Sequence, residues 1–165
     1  MIVLSSNTSK LTHTQISDFV RQQYAEIQNS KDIADLVHFH SINKFLLMAH
    51  DQNRMVMLGN LIANHSRLPT SVVFQNYASH LELTLQKEPT IKSHYNVLQK
   101  IFGYFKKDLS LNEKTSLLQM MNNYKSGDES LGSVLLALEE LTRKFQKTYL
   151  VRQTYFLLYV EVKSA

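Results

Sequence analysis

Apolar residues recur every three or four positions along nearly the whole chain, and seldom at every second position. A spacing of three to four is the period of a helix that buries one face, whereas a half-buried strand repeats every two residues. The chain of 165 residues has only four glycines and two prolines, so it offers few sites for hairpin turns. These patterns predict an all-α fold, a compact single-domain bundle of about seven to eight helices.

Helix boundaries follow from prolines and capping residues. Pro69 and Pro89 interrupt the apolar period, and Ser30 has the position of an N-cap. Ser110 and Glu113 have the spacing of a capping box, in which both side chains accept hydrogen bonds from free backbone N–H groups. The predicted helices cover residues 14–29, 31–50, 52–65, 70–87, 91–106, 111–124, 128–146 and 149–160. The last segment would also suit a strand.

Composition limits the class of protein more than its activity. Hydrophobic residues make up 44% and charged residues 19% of the chain, as is ordinary for a globular domain. There is no cysteine, which excludes disulfides, thiolate nucleophiles and cysteine-held metal centres in this chain. The sequence has no signal-peptide pattern, and no run approaches the ~18 apolar residues of a membrane span. We therefore expect a cytoplasmic protein without membrane contact, with an N-terminal extension over residues 1–12 and a helical domain over residues 13–165.

Positive charge is concentrated in the second half of the chain. Residues 1–90 contain seven basic and seven acidic side chains, whereas residues 91–165 contain eleven basic and seven acidic ones. The second half therefore carries the whole net charge of +4. Such an asymmetry is compatible with a polyanionic partner, but an excess of four is common on ordinary solvated helix faces, which is the favoured interpretation.

Two polar residues fall within the apolar stripe that we assign to the second helix. At about 100° per residue, His40 and Lys44 project side by side in the middle of that stripe. The stripe consists of Ile33, Leu36, Val37, Leu47 and Met48. His94 has the same central position on the fifth helix. We therefore predict that His40, Lys44 and His94 lie close together, at a cavity or in one buried polar network. The alternative is that each histidine bonds a nearby carbonyl and Lys44 extends past the rim of the core.

The predicted core draws on the second, fifth and seventh helices. Its members are Val37, Leu47, Leu98, Ile101, Phe105 and Leu135.

Sequence motifs of known catalytic sites are absent. The chain has no Gly-rich phosphate loop, no H-E-x-x-H and no G-x-S-x-G. His38 and His40 would point about 200° apart on a helix, so they cannot share a metal ion. No catalytic residue, metal site or cofactor is therefore predicted.

Four motifs occur in order between about residues 15 and 160. The first motif is His40-x-x-x-Lys44-x-Leu46-Leu47-x-Ala49-His50, followed by Leu58-Gly59. The second is His94-x-Asn96-Val97-Leu98, followed by Gly103-Tyr104-Phe105-Lys106 and by Leu109-Ser110-x-x-Glu113-Lys114. The third is Tyr124-x-x-Gly127, and the fourth is Gln153-x-Tyr155-Phe156. In this register the chain resembles the YbgA-like family, a helical domain of unknown function. It departs from the family pattern at Gln99-Lys100, where a Met-His pair is typical, and at Ser130, Leu158 and Val160, where prolines are typical.

The resemblance implies an accessory role. In this family the domain stands alone or follows a cysteine-rich desulfidase domain that acts on thiolated uracil, and it is thought to help hold transfer RNA. Because this chain has none of the cysteines that such chemistry needs, the resemblance implies at most a module that binds RNA or a partner protein.

We therefore expect a non-catalytic module that binds RNA, with transfer RNA as the first candidate. The predicted phosphate contacts are Lys44, Lys100, Lys106, Lys107 and Arg152. One alternative is a protein-interaction module that docks on a separate enzyme subunit. Another is a small-molecule site or an enzyme with a His40/Lys44/His94 pocket. The remaining candidate binding residues are Asn96, Tyr104 and Gln153.

Overall fold

The computed structural model describes residues 10–160, and within that range the chain is all-α. The helices are α1 His13–Gln28, α2 Ile33–His50, α3 Gln52–Ala63, α4 Thr70–Gln86, α5 Ile91–Gly103, α6 Leu111–Lys125, α7 Leu131–Lys144, α8 Thr148–Val151 and α9 Thr154–Tyr159. A short 3₁₀ turn, His65–Arg67, connects α3 to α4. The predicted fold class is thus confirmed. Most of the predicted N-terminal extension, residues 1–9, lies outside the described residues.

Capping side chains decide where the helices begin. The predicted box at Ser110 and Glu113 is present, with the Ser110 hydroxyl accepting from the Glu113 N–H at 3.1 Å. The N-cap of α2, in contrast, is Asp32 and not Ser30, because the Asp32 carboxylate accepts from the Ala34 N–H at 2.9 Å. Lys31 has φ 51°, a left-handed conformation that a helix cannot include.

The predicted helix over residues 149–160 is wrong as a single element. It is divided into α8 and α9, which are separated at Arg152 and Gln153. A strand at this position is also excluded, since both pieces are helical.

Helix α2 is the central element of the bundle. It packs against α1, α3, α4, α5 and α9. Its last two turns, from Phe45 to His50, are buried at every residue. Helices α6 and α7 extend the bundle beyond α5 and α9, because α6 packs on α5 and α7 on α9.

The predicted core is confirmed except at one position. Leu47, Leu98, Ile101, Phe105 and Leu135 are each 0% exposed, but Val37 is 41% exposed.

The error at Val37 arises from the direction assigned to the buried face of α2. In the first turns of this helix the buried residues include Phe39 and Asn43, which the apolar stripe omitted. At about 100° per residue, Val37 lies about 120° from Asn43, and Lys44 lies about 100° from it. The buried arc is therefore centred on a different direction, and His40 and Lys44 lie at its edge.

Candidate nucleic-acid interface

Three aromatic rings meet where the end of α5 approaches α2 and α8. The Phe45 ring lies 6.0 Å from the Tyr104 ring and 6.4 Å from the Tyr149 ring, both in edge-on geometry. The rings of Tyr104 and Tyr149 are 6.2 Å apart. Phe45 is 0% exposed, whereas each tyrosine is 38% exposed. The tyrosine pair, Tyr104 and Tyr149, thus presents aromatic surface to solvent above a buried phenyl ring.

Gln153 holds this region against α2. Its Nε2 donates to the Ser41 carbonyl at 2.7 Å, and its Oε1 accepts from the Phe45 N–H at 3.4 Å. The Tyr149 hydroxyl donates to the same Ser41 carbonyl at 3.5 Å. Gln153 is 1% exposed, so both of its hydrogen bonds are shielded from water. The contacts of this predicted binding residue are those of a side chain that positions α8 and α9 on α2.

Replacing Gln153 with leucine should lower the free energy of unfolding by about 1–3 kcal/mol, because buried backbone groups lose their partners. Urea unfolding at neutral pH measures the change. The exposed Gln99 supplies the matched control, since Gln99→Leu should stay within about 0.5 kcal/mol of the unsubstituted protein. Unchanged stability of Gln153→Leu together with lost ligand binding would instead identify Gln153 as a binding residue.

Basic residues are close to the tyrosine pair in the chain. Lys100 precedes Tyr104 by four residues, one helical turn, and Arg152 follows Tyr149 by three. Four of the predicted phosphate contacts are exposed, and Lys44 is half-buried beside Phe45 in the chain. None of these five side chains takes part in an ion pair found within residues 10–160. The five are Lys44, Lys100, Lys106, Lys107 and Arg152.

Sequence reasoning missed two members of this region, Phe45 and Tyr149. Tyr149 lies in a segment with the composition of a strand, and nothing in the local pattern connects it to Tyr104, 45 residues earlier. The only signal available was its position between two basic residues, Lys147 and Arg152. Lys147 itself is paired, with its Nζ 3.1 Å from an oxygen of Asp108.

His40 is a hydrogen-bonded residue at the edge of the core. Its Nδ1 lies 2.9 Å from the hydroxyl of Tyr77, which is 0% exposed. Its Nε2 faces Gly59, where an added Cβ would come within 3.4 Å. Burial lowers the pKa of His40 to about 4, and the neighbouring positive charge of Lys44 acts in the same direction. His40 is therefore neutral at neutral pH.

His94 occupies a separate environment, formed with side chains of α9. Its Nδ1 lies 2.6 Å from the hydroxyl of Tyr155, and the Tyr159 ring packs edge-on at 5.0 Å. Burial lowers the pKa of His94 to about 4, and positive charge at His50 and Lys10 acts in the same direction.

The predicted proximity is confirmed for His40 and Lys44, whose charges interact, but not for His94. His94 has His50 as its electrostatic neighbour, and His50 lies about 15 Å along α2 from His40 at a rise of about 1.5 Å per residue. Each of the two histidines instead bonds its own buried tyrosine.

Two surface cavities have sizes in the range of small ligands. One, of about 390 Å³, lies between the α2–α3 junction and the start of α5, and Asn96 is the only predicted binding residue in its lining. The other, of about 430 Å³, lies between α3 and α4. Neither is lined by His40, Lys44 or His94. In the described part of the chain, no three or more His, Cys, Asp or Glu residues are arranged to hold a metal ion.

No helix within residues 10–160 combines the length and the apolar character needed to cross a bilayer.

Comparison with known proteins connects the chain to an uncharacterised group. The profile of a family described as "Protein of unknown function (DUF1722)" matches residues 44–159. A protein of Escherichia coli strain K12, described as "Uncharacterized protein YbgA", is 25% identical over 128 residues, which are 77% of this chain and 76% of that protein. No solved structure is significantly similar to the chain. The matched region includes α5 to α9 and the second half of α2, and so contains the tyrosine pair and its basic neighbours.

Proposed function

The chain belongs to the DUF1722 family of proteins of unknown function, and we propose that it is a non-catalytic module that binds RNA, with transfer RNA as the first candidate. The observation that supports this proposal most directly is the tyrosine pair, which has neighbouring cations in the chain that form no ion pair within residues 10–160. Neither part of the arrangement requires a reactive group, a metal ion or a cofactor.

The chemistry of the surface suits a nucleic-acid strand. Proteins that bind unpaired strands combine a positively charged track for phosphates with aromatic rings on which bases stack. Lys100, Lys106 and Lys107 lie within four residues of Tyr104, and Arg152 lies three residues from Tyr149. A ribose-phosphate chain passing over the two rings would therefore have a basic residue within four residues of each ring.

The free charge at this surface matters because paired cations contribute little to phosphate binding. Lys144 and Lys147 come shortly before Tyr149 in the chain, and they are paired with Glu113 and Asp108, respectively. The five predicted contacts keep their charge available for a polyanion, and each phosphate that they neutralise releases condensed counterions.

Affinity for RNA should therefore depend steeply on salt. With a labelled pool of total transfer RNA, the slope of log affinity against log salt should be about −0.7 per neutralised phosphate, or about −3.5 if all five cations take part. Fluorescence anisotropy between about 50 and 200 mM salt measures this slope. A protein that does not bind at the lowest salt would contradict the proposal.

Two double variants locate the surface. Lys106→Ala/Lys107→Ala should flatten the slope of log affinity against log salt by about 1.4. Tyr104→Ala/Tyr149→Ala should weaken RNA binding at least about fivefold. It should leave the slope unchanged, because stacking of bases on the rings releases no counterions. The matched control, Arg67→Ala/Lys125→Ala, removes the same charge at two exposed positions, in the 3₁₀ turn before α4 and at the end of α6. Equal flattening by the control would show that only net charge matters, and would remove the basis for this surface.

A protein-interaction module remains the second candidate, favoured by the cavity between α3 and α4. Met57 and Leu68 line that cavity and are 44% and 45% exposed, although large apolar side chains are ordinarily covered. The substitution Met57→Asp separates the two functions. If the tyrosine pair is the binding surface, this substitution should leave RNA affinity unchanged. If the cavity between α3 and α4 is a docking site for an enzyme partner, the same substitution should abolish that docking.

A further inference from the structure

Two histidines meet at the point where four helices end or begin. His13 is the first residue of α1 and His50 the last residue of α2, and their rings are 5.3 Å apart in edge-on geometry. Both are anchored by main-chain carbonyls at the end of α4. His13 Nε2 lies 2.8 Å from the Leu85 oxygen, and His50 Nδ1 lies 2.8 Å from the Lys87 oxygen.

These hydrogen bonds fix the tautomer of each ring. A carbonyl oxygen can only accept, so His13 must carry its proton on Nε2 and His50 must carry its proton on Nδ1. In the neutral form of each ring the other nitrogen, Nδ1 of His13 and Nε2 of His50, therefore presents a bare lone pair. Both atoms are buried and have no hydrogen-bond partner within residues 10–160.

A buried nitrogen lone pair is stabilised either by a hydrogen-bond donor or by a metal cation that it coordinates. We propose that His13 Nδ1 and His50 Nε2 together bind one divalent transition-metal ion of the kind that prefers imidazole, such as Zn²⁺. The carbonyl contacts match the usual outer partners of metal-binding histidines, which donate their second ring N–H to a carbonyl or carboxylate. Such partners fix the tautomer and the orientation of the ring before the metal arrives.

A metal ion binds each imidazole in its neutral form, through the nitrogen that the carbonyl contact leaves without a proton. His94, whose Nδ1 is engaged by the Tyr155 hydroxyl, does not form a group of three candidate ligands with His13 and His50 within residues 10–160.

Solvent completes the coordination. A site with two protein ligands agrees with the finding that no group of three or more candidate side chains occurs within residues 10–160. His50 also lines the cavity of about 390 Å³ beside α5, from which water molecules reach the ion. The competing occupant is a single water molecule that donates to both nitrogens, which needs no metal.

The first test is nitrogen-15 NMR of the imidazoles in tag-free, EDTA-treated protein. It should show His13 as the Nε2–H tautomer and His50 as the Nδ1–H tautomer. On titration with ZnCl₂ the signals of His13 Nδ1 and His50 Nε2 should move to the positions of metal-bound nitrogens, with saturation at one ion per chain. MgCl₂ should cause no shift, because Mg²⁺ prefers oxygen ligands. The opposite tautomers, or signals unmoved by zinc because water is the occupant, would overturn the proposal without any substitution.

Variants then assign the ligands by isothermal titration of ZnCl₂. His13→Gln and His50→Gln should each weaken zinc binding at least about tenfold. The control is His38→Gln, which removes an exposed imidazole and should leave zinc binding unchanged. Equal weakening by the control would show that zinc binds to surface histidines, and would overturn the assignment.

Discussion

Between pH 6.5 and 4.5 the free energy of unfolding should fall steeply, because the folded protein keeps three imidazoles neutral. Burial lowers the pKa values of His40, His50 and His94 to about 4 in the folded state. In the unfolded chain the same groups have pKa values near 6.5. As the pH falls through this window, the unfolded chain takes up protons that the folded protein refuses, and unfolding becomes more favourable.

The size of the effect follows from the same shift. A difference of about 2.5 pKa units corresponds to roughly 3 kcal/mol for each histidine once the pH is below 4. The three together give a slope of up to about 4 kcal/mol per pH unit near pH 5, which is large against a total stability of about 5–15 kcal/mol. The stability that depends on these three neutral histidines is fully present above pH 6.5, and it is lost as the pH falls towards about 4. Carboxylates such as Glu82, whose pKa is lowered by Arg21, add to acid unfolding only below this window.

Urea unfolding at pH 7, 6 and 5 in the presence of EDTA measures the slope without a contribution from metal. His40→Gln should reduce the slope by about one third, since one of three groups is removed, whereas the exposed His38→Gln should leave it unchanged. A free energy of unfolding that stays constant from pH 7 to pH 5 would show that the three imidazoles are accessible to protons.

The helices were predictable because their signals are local. The period of the apolar residues and the capping box at Ser110 depend on neighbours within one or two turns, and α6 follows them closely. The break between α8 and α9 has a distant cause. Gln153 bonds the backbone of α2 at Ser41 and Phe45, more than one hundred residues away. No local pattern contains that contact.

The candidate site was predictable in its charges and not in its geometry. Lys100 and Tyr104 were found from composition and motif positions, whereas Tyr149 joins them only because α8 packs beside the end of α5. The expected meeting of His40 with His94 depended on how α2 and α5 cross. The pairing of His13 with His50 depends in the same way on the end of α4, which anchors both rings.

A pair of substitutions on α2 should show how strongly burial, and not apolar character, determines stability. Leu47 and Val37 were both assigned to the core from the same apolar stripe, yet Leu47 is 0% exposed and Val37 is 41% exposed. Leu47→Ala removes buried methyl groups and leaves a cavity, and it should cost about 2–5 kcal/mol. In a domain of this size, that loss lowers the melting temperature by roughly 5–15 °C.

Val37→Ala is the matched control, because it also shortens an apolar side chain on the same helix. Its effect should stay within about 0.5 kcal/mol, since solvent already covers much of the side chain and alanine has the better helix propensity. Both changes are measured by urea and thermal unfolding at pH 7. Equal losses for the two variants would mean that Val37 is covered in solution, either by a residue outside the described range or by a second molecule. A small loss at Leu47 would mean that α2 is not the centre of the core.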